Sequence, residues 1–253
     1  MRIVSYNILD GGEGRADPIA EVIEAQRPDV VALVEADLGE VVERIANRLK
    51  MDFVHAPGNS KASALLSRWP IVQTINHAVM HKQLAKSFLE AVVRTPSGLD
   101  IPVGVLHLTA HAREADETQR EQELDLILRL TDPHRQAGRA HLLCGDFNAN
   151  SPIQQIDPDR VKPRTREEWE ANGRQIPRWV IQKLLGAGYV DTLAAAVGES
   201  AATACSFTTQ HPGQRVDYIF AWQPAPITSA WIEQDRLAKY ASDHYPVGAE
   251  LGF

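Results

Sequence analysis

The sequence predicts an α/β fold in which two mixed β-sheets pack face to face with helices on the outside, a four-layer sandwich. Helical and strand-like patterns alternate at the start of the chain, which is typical of α/β proteins. Four strand-like runs then follow one another without a helix between them, which favours mixed sheets over a doubly wound parallel sheet. The 253 residues can bury a large core and show no linker, so we expect a single domain over residues 1–253.

The first four elements alternate between strand and helix. A strand is expected over residues 2–8. A helix follows, in which Asp17 is the candidate N-cap and Pro18 the first helical residue. The apolar run Val30–Val34 is short and continuous, as in a buried strand. A second helix is expected over residues 38–50.

The remaining elements supply the consecutive strands that distinguish this fold. The four strand-like runs cover residues 64–67, 71–80, 88–95 and 101–107. The pattern then predicts a helix over 113–130, a strand over 141–145, a polar segment over 148–178 and a helix over 179–185. Three further strands are expected over 216–221, 227–233 and 247–251.

Charge and composition restrict the function. The chain carries 33 acidic and 26 basic residues, a net charge of −7, which argues against a protein that coats nucleic acid by bulk electrostatics. A site that binds one phosphate locally stays open. The apolar runs are far shorter than a membrane-spanning helix, and we see no signal peptide. Cys144 and Cys205 form no disulfide framework, so we expect a cytoplasmic protein without membrane insertion.

Isolated polar residues lie at or near the ends of the apolar runs. Strand ends in layered α/β folds carry the loops on which functional groups sit. If these ends converge, the site combines four carboxylates, two amides and two imidazoles. The residues are Asn7, Glu35, His107, Asp146, Asn148, Asp217, Asp243 and His244.

Four converging carboxylates repel one another unless a cation offsets their charge. Mg²⁺, or Mn²⁺ in its place, takes oxygen ligands and keeps coordination positions for substrate phosphates. No cysteine cluster or closely spaced histidine pair indicates zinc instead. His244, beside Asp243, suits general acid–base work because imidazole titrates near neutral pH. Together these groups predict metal-assisted hydrolysis of a phosphate ester.

Six motifs follow one another along most of the chain. They read IVSYNI, VVALVE, ALLSRWPI, GDFNAN, RVDYIF and SDHYPV, and the match extends from residue 3 to residue 249. In this order they resemble the endonuclease/exonuclease/phosphatase superfamily, whose fold is that of pancreatic deoxyribonuclease. The resemblance implies a two-sheet α/β sandwich and a divalent-metal-dependent phosphoesterase.

The resemblance also implies roles on the metal side of the site. Glu35 resembles the primary metal ligand, and Asp243 resembles a further carboxylate on that side. Asn7 looks like a group near the metal and the phosphate, and we assign it to the metal site with the other two. Whether one or two ions bind stays open.

The catalytic roles follow from the same resemblance. Asp146 looks like the residue that positions or activates the attacking water, and Asn148 like a contact to the phosphate or transition state. His244 looks like the catalytic histidine, oriented by Asp217, and His107 like a donor to the phosphate. Either Asp146 or His244 removes the proton from water, and we favour His244 because its reference pKa lies closer to working pH.

The segment 151–180 is the candidate specificity insertion. It holds six basic residues against five acidic ones, and its two tryptophans can stack on a base. A second basic cluster, His81, Lys82 and Lys86, is a candidate for the opposite wall of the site. For Arg215, outside the segment, a structural ion pair is the alternative to substrate contact. The candidate substrate contacts are Arg164, Arg166, Trp169, Arg178 and Arg215.

Three functions are compatible with these observations. The first is a phosphodiesterase or nuclease acting on nucleic acid or nucleotides, and the second is a phosphomonoesterase or a lipid-headgroup phosphodiesterase of phosphoinositide or sphingomyelin type. The third, a non-catalytic binding module on the same fold, conflicts with the complete set of site motifs. Residues 34–37 read Val-Glu-Ala-Asp, which differs from the Gln-Glu-Thr-Lys-like stretch of abasic-site endonucleases and disfavours that activity.

Overall fold

Two six-stranded mixed sheets form the centre of the molecule, as predicted. The computed structural model describes residues 1–253. The strands are β1 (Arg2–Asn7), β2 (Val30–Val34), β3 (Asp52–Ala56), β4 (Ser63–Ser67), β5 (Ile71–Asn76), β6 (Ser87–Arg94), β7 (Asp100–His107), β8 (His141–Asp146), β9 (Tyr189–Asp191), β10 (Asp217–Trp222), β11 (Ile227–Ile232) and β12 (Val247–Leu251). The helices are α1 (Ala16–Ala25), α2 (Gly39–Leu49), α3 (His77–Met80), α4 (Glu114–Gln136), α5 (Pro163–Ala171), α6 (Trp179–Gly186), α7 (Thr192–Val197) and α8 (Arg236–Ala241).

The two sheets have the same internal plan. The first has the spatial order β11-β12-β1-β2-β4-β3, and the second has the order β5-β6-β7-β8-β10-β9. In each sheet the two central strands are parallel, β1 with β2 and β7 with β8, and all other neighbours are antiparallel. The central parallel pairs bring two strand ends side by side in each sheet.

Three apolar cores hold the layers together. One lies between the sheets, a second lies under α1, α2 and α8, and a third lies under α4 and α6. Because side chains alternate between the faces of a strand, every second residue points into the central core. In β7 and β8 these residues include Val105 and Cys144, and two positions further along the same strands lie His107 and Asp146. Strand periodicity therefore directs the polar residues at the strand ends towards the space between the sheets.

The first predicted helix begins differently from the expectation. Helix α1 starts at Ala16, so Asp17 lies in its first turn and is not the N-cap, which is Arg15. The Asp17 carboxylate instead accepts hydrogen bonds from Arg44 of α2. Asp17 therefore forms an ion pair with α2 and does not cap α1, the role that the local sequence predicts for it.

Several short elements escaped prediction because their own sequences carry little periodicity. The predicted strand over 71–80 is wrong in its second half, where α3 replaces it and is tied down by hydrogen bonds from the Asn59 amide. The polar segment contains α5, whose buried side chains are only Thr165 and Trp169. Strands β3 and β9 and helices α7 and α8 were not predicted either. None of the helices is both long and apolar enough to cross a membrane.

A buried histidine at the start of β8 makes stability depend on pH. The His141 ring donates to the carbonyl of Arg139 through Nδ1 and accepts from the Tyr189 hydroxyl through Nε2, at 2.9 and 2.7 Å. Burial lowers the pKa of His141 to about 4. The unfolded chain therefore binds a proton at this residue between pH 6.5 and 4 while the folded chain does not.

We expect the free energy of unfolding to fall as the pH drops from 6.5 to 4, by up to about 3 kcal/mol from this residue. Urea unfolding at several pH values measures the loss. His141→Gln should flatten the dependence over this range, whereas His211→Gln, at an exposed histidine, should leave it unchanged. Parallel curves for the wild type and His141→Gln would contradict the assignment.

Candidate active site

Strand register gathers the polar residues around Asp146. His107, at the end of β7, is the register partner of Asp146, at the end of the parallel strand β8. Asp217, the first residue of antiparallel β10, is the partner of Asp146 on the other side. Asn7, at the end of β1 in the opposite sheet, donates from Nδ2 to Asp146 Oδ2 at 3.1 Å. Both sheets therefore contribute to one cluster.

His244 completes this cluster from the loop before β12. Its Nδ1 hydrogen-bonds Asp217 Oδ2 at 2.8 Å, and its Nε2 lies 3.8 Å from Asp146 Oδ2 and 3.4 Å from Asn7 Nδ2. The ring of Phe207 packs against the imidazole, with 4.5 Å between the centroids. The hydrogen bond from Nδ1 to Asp217 thus orients the imidazole ring, so that Nε2 points to the centre of the site.

The charges of this cluster depend on one another. Burial alone would lower the pKa of His244, but the carboxylates of Asp217 and Asp146 outweigh it and raise that pKa to about 10. Burial would raise the pKa of Asp146, but His107, His244 and Lys86 hold it well below its ordinary value. Burial and the charge of Asp146 raise the pKa of Asp217. At neutral pH the cluster holds an imidazolium between carboxylates.

His107 lies on the other side of Asp146. Its Nε2 accepts a hydrogen bond from the Lys86 ammonium at 2.5 Å and lies 3.2 Å from Asp146 Oδ2. Burial lowers the pKa of both His107 and Lys86. Lys86, which the sequence suggested only as part of a basic wall, therefore belongs to the centre of the site. It directly precedes β6, the strand that pairs with β7, and this adjacency was not readable from the local sequence.

Glu35 belongs to a second carboxylate cluster beside the first. Its backbone is in the left-handed region, with φ 52°, directly after β2. Its carboxylate accepts from Asn7 Nδ2 at 3.2 Å and from the Asp10 backbone N–H at 3.0 Å, and Lys61 Nζ lies 3.0 Å from it. Lys61 also contacts the carboxylates of Asp10 and Asp37, at 2.6 and 3.1 Å. The Asn7 amide links this cluster to the one around Asp146.

This second cluster fits a hard divalent cation. One carboxylate oxygen each from Asp10, Glu35 and Asp37 lies within 4.8 Å of the others, and oxygen donors are the ligands that Mg²⁺ prefers. Lys61 offsets one of the three negative charges, so two remain. Burial would raise the pKa of Glu35, but His107, the Asp10 N–H and Lys61 lower it to about 2, and the group is ionised at any working pH.

Of the four residues in this second cluster, only Glu35 was predicted from the sequence. Asp37 follows it by two residues, a spacing that could have identified it. Asp10 and Lys61 reach the cluster from other loops, and nothing in their local sequence distinguishes them from surface charges.

Two of the predicted metal-site residues are arranged differently from the expectation. The side-chain oxygen of Asn7 accepts the Leu9 backbone N–H at 3.0 Å, so its amide faces the carboxylates as a donor and not as an oxygen ligand. Asp243 belongs to neither carboxylate cluster. Its Oδ1 is buried and accepts no hydrogen bond, and its charge helps to raise the pKa of the adjacent His244.

Asn148 borders the site in a left-handed conformation, with φ 48°. Its backbone N–H donates to Asp146 Oδ1 at 2.8 Å and its Nδ2 donates to the Leu108 carbonyl at 3.1 Å. The first of these hydrogen bonds fixes the Asp146 carboxylate. The side chain also lines a cavity next to the site.

The predicted substrate contacts separate into two groups. Arg164 and Trp169 line the cavity that Asn148 borders. Arg166 pairs instead with Asp159, at 3.3 Å, and Arg178 donates to the Ser151 carbonyl. Arg166 and Arg178 therefore make contacts within the segment 151–180, and these contacts stabilise its conformation.

For Arg215, the structure contradicts the predicted substrate contact. The side chain is buried, and it donates to both carboxylate oxygens of Asp191, at 3.0 and 2.6 Å. Its guanidinium carbon lies 4.5 Å from the centre of the Tyr218 ring. Because the guanidinium is buried and paired at both ends with Asp191, it exposes no donor to a phosphate. Arg215 therefore forms the structural ion pair that was the alternative to substrate contact.

Comparison with known proteins identifies the family of this chain. The sequence profile of the Endonuclease/Exonuclease/phosphatase family matches residues 4–244. The chain belongs to this family. No curated protein matches it significantly. The match includes both carboxylate clusters, so the site described above lies in the part of the chain that defines the family.

Solved structures of the family have the same fold. The 3'-5' exonuclease NExo from Neisseria meningitidis superposes with a TM-score of 0.76 at 19% identity, covering 100% of both chains. An AP endonuclease from Archaeoglobus fulgidus gives 0.72 at 18% identity over 100% of both chains. The catalytic domain of human Nocturnin, with bound sulfate, gives 0.71 at 19% identity, covering 100% of this chain and 94% of that one. At these identities the likeness establishes the four-layer sandwich.

Proposed function

We propose that this protein is a divalent-metal-dependent hydrolase of phosphate esters, and specifically a phosphodiesterase or nuclease acting on nucleic acid or nucleotides. The observation that carries the proposal is the convergence at Asp146: an amide, two imidazoles and an ammonium surround one carboxylate, beside a cluster of three further carboxylates. Donors next to a cation site suit a substrate whose negative charge grows in the transition state.

The metal side of the reaction depends on Glu35, with Asp10 and Asp37 as further oxygen donors. A divalent cation bound there supplies positive charge to the phosphate and polarises it. Lys61 contacts all three carboxylates, at 2.6 to 3.1 Å, and holds them close together. Family membership supports a divalent metal, and the oxygen donors support Mg²⁺ or Mn²⁺.

The protonation states of His244 and Asp146 favour catalytic roles that differ from those expected from the sequence. We favoured His244 as the base, but its imidazole lies between two carboxylates that keep it protonated. Asp146 is ionised and held by the Asn148 N–H, so it is the group that orients water and accepts its proton. His244, Asn7 and Lys86 then donate to the phosphate oxygens.

Two further observations support a nucleotide substrate. The cations Lys162 and Arg164 line the cavity beside the site, and they suit a substrate with more than one negative charge. The Neisseria and Archaeoglobus neighbours are described as an exonuclease and an AP endonuclease. Neither observation depends on the net charge of the whole chain.

The metal site is tested with Glu35→Gln. Wild type should hydrolyse bis(p-nitrophenyl) phosphate with Mg²⁺ or Mn²⁺ and lose activity in EDTA. Glu35→Gln should raise the Mg²⁺ concentration for half-maximal activity at least about tenfold, because one charged ligand is lost. Isothermal titration with Mn²⁺ should show the same weakening without substrate. Glu43→Gln, at an exposed position on α2, is the matched control.

The substrate class is tested in the same assay. Single-stranded DNA, abasic duplex, RNA, p-nitrophenyl phosphate, and inositol and sphingolipid headgroup esters are compared at equal enzyme concentration. Faster release from a headgroup or a monoester than from every polynucleotide and nucleotide would refute the nuclease proposal. Activity that persists in EDTA, with no Mn²⁺ binding, would refute metal dependence.

A further inference from the structure

A cavity opens directly beside the catalytic cluster. Two residues connect it with that cluster: Asn148, whose backbone holds Asp146, and Phe207, whose ring packs on His244. Its other walls come from residues 110–112 and from the segment 151–180, mainly α5. A substrate whose scissile phosphate lies at His244 would therefore extend one neighbouring group into this cavity.

Three residues that line the cavity each carry a buried polar atom without a partner. The Trp169 indole N–H is buried and donates to nothing, and the side-chain oxygens of Asn150 and Gln214 are buried and accept nothing. Buried polar groups are normally hydrogen-bonded, so three unsatisfied groups around one cavity suggest that a polar ligand completes them. Asn and Gln can turn either their oxygen or their NH₂ group inwards, and Trp can only donate.

The charges around the cavity favour an anion. Arg164 is paired with Glu168 at 3.1 Å, and Arg120 is paired with Glu117 at 2.9 Å. Lys162 has no ion pair, and its ammonium lies 5.8 Å from the centre of the Phe207 ring. Lys162 thus brings an uncompensated positive charge to the cavity wall, near the ring that packs on His244.

We propose that this cavity binds a second phosphate of the substrate, next to the phosphate that is cleaved. Lys162 and the Trp169 N–H are the principal donors to it. The proposal rests on the function proposed above and makes it more specific: the substrate carries two phosphates, either on neighbouring nucleotides of a strand or on one nucleoside bisphosphate.

The test compares dinucleotides that differ only in the second phosphate. TpT carries the scissile phosphate alone, whereas pTpT and TpTp add one on either side. We expect kcat/KM for pTpT or TpTp to exceed that for TpT at least about tenfold. Thymidine 3',5'-bisphosphate, tested as substrate and as ligand, separates a small bisphosphate from a strand: if it outcompetes pTpT and TpTp, the small molecule is the source.

Lys162→Gln is the decisive variant because the side chain is exposed and the fold does not depend on it. It should remove most of the preference for the second phosphate, chiefly through KM, and so lower kcat/KM for pTpT or TpTp much more than for TpT. Trp169→Phe, which keeps the ring and removes the donor, should weaken the preference about threefold. Arg160→Gln is the matched control, since Arg160 is an exposed cation of the same segment that does not line this cavity.

The proposal and the catalytic function can fail separately. If no phosphodiester is cleaved, the proposed function falls, and titration calorimetry with the bisphosphate and with thymidine 5'-monophosphate still tests the cavity. Tighter binding of the bisphosphate that Lys162→Gln abolishes and Arg160→Gln preserves would support the second phosphate site. Equal binding of both ligands, or equal effects of the two variants, would overturn it.

Discussion

His244→Ala should lower kcat/KM for a phosphodiester by about 10²–10⁴-fold, the range for loss of a positioned acid–base group. His244 joins the Asp217 carboxylate to the centre of the site. Its Nδ1 lies 2.8 Å from Asp217 Oδ2, and its Nε2 faces Asp146. Its removal takes away the imidazolium charge next to the phosphate and leaves Asp217 and Asp146 without the cation between them. The measurement is initial-rate kinetics on bis(p-nitrophenyl) phosphate at saturating Mg²⁺.

Controls distinguish catalysis from folding for this variant. His211→Ala, at an exposed histidine whose side chain forms no hydrogen bond or ion pair, should leave kcat/KM unchanged. Asp217→Asn should fall between the wild type and His244→Ala, because the hydrogen bond to Nδ1 survives while the charge that supports the imidazolium is lost. Full activity in a folded His244→Ala protein would show that the site acts without the imidazole, and the proposed mechanism would be abandoned.

Arg215→Met should lower the free energy of unfolding by about 3–5 kcal/mol, the cost of leaving one partner of a buried ion pair unpaired. Both carboxylate oxygens of Asp191 accept from the guanidinium, and the pair is shielded from solvent. Asp191 also caps α7 by accepting the N–H groups of Leu193 and Ala194, so its charge is fixed in place. Urea unfolding followed by far-UV circular dichroism measures the loss.

A double variant isolates the unpaired charge. Arg215→Met with Asp191→Asn removes both charges and keeps the cap oxygen, and it should recover more than half of the lost stability. KM measured on the folded fraction of Arg215→Met should match that of the wild type. A stable Arg215→Met protein with a raised KM would restore the substrate-binding role that the structure contradicts.

Long, periodic segments were the part of the fold that the sequence predicted well. The run Val30–Val34 is a strand at the predicted residues, and α2 and α6 differ from the prediction by a residue or so at their ends. The failures are short elements whose conformation depends on distant partners. Strand β3 is an edge strand that pairs only with β4, and α3 is held by Asn59 from another loop. The local sequence does not show which distant segment will pair with such an element or hold it in place.

The same distinction applies to the site. Glu35, Asp146 and His244 stand out in the sequence because each ends or interrupts an apolar run. Lys61 does not, and Lys86 stood out only as part of a basic wall, although each lies within 3.0 Å of a residue of the site. Arg215 belongs to the same motif as Asp217, yet it lies before β10 begins, and its guanidinium is held away from the site by the Asp191 carboxylate.

By itself, the sequence determined the class of fold, the strand ends that carry chemistry, and the oxygen-rich character of a site that needs a cation. The order of the helical and strand-like patterns and the ends of the apolar runs were enough for that, because both can be read from the local sequence. Only the tertiary structure decided which charges meet: the imidazole that stays protonated, the two lysines that compensate the carboxylates, and the arginine withdrawn into an ion pair. Electrostatic energies depend on distance and burial, and both are set when the two sheets pack.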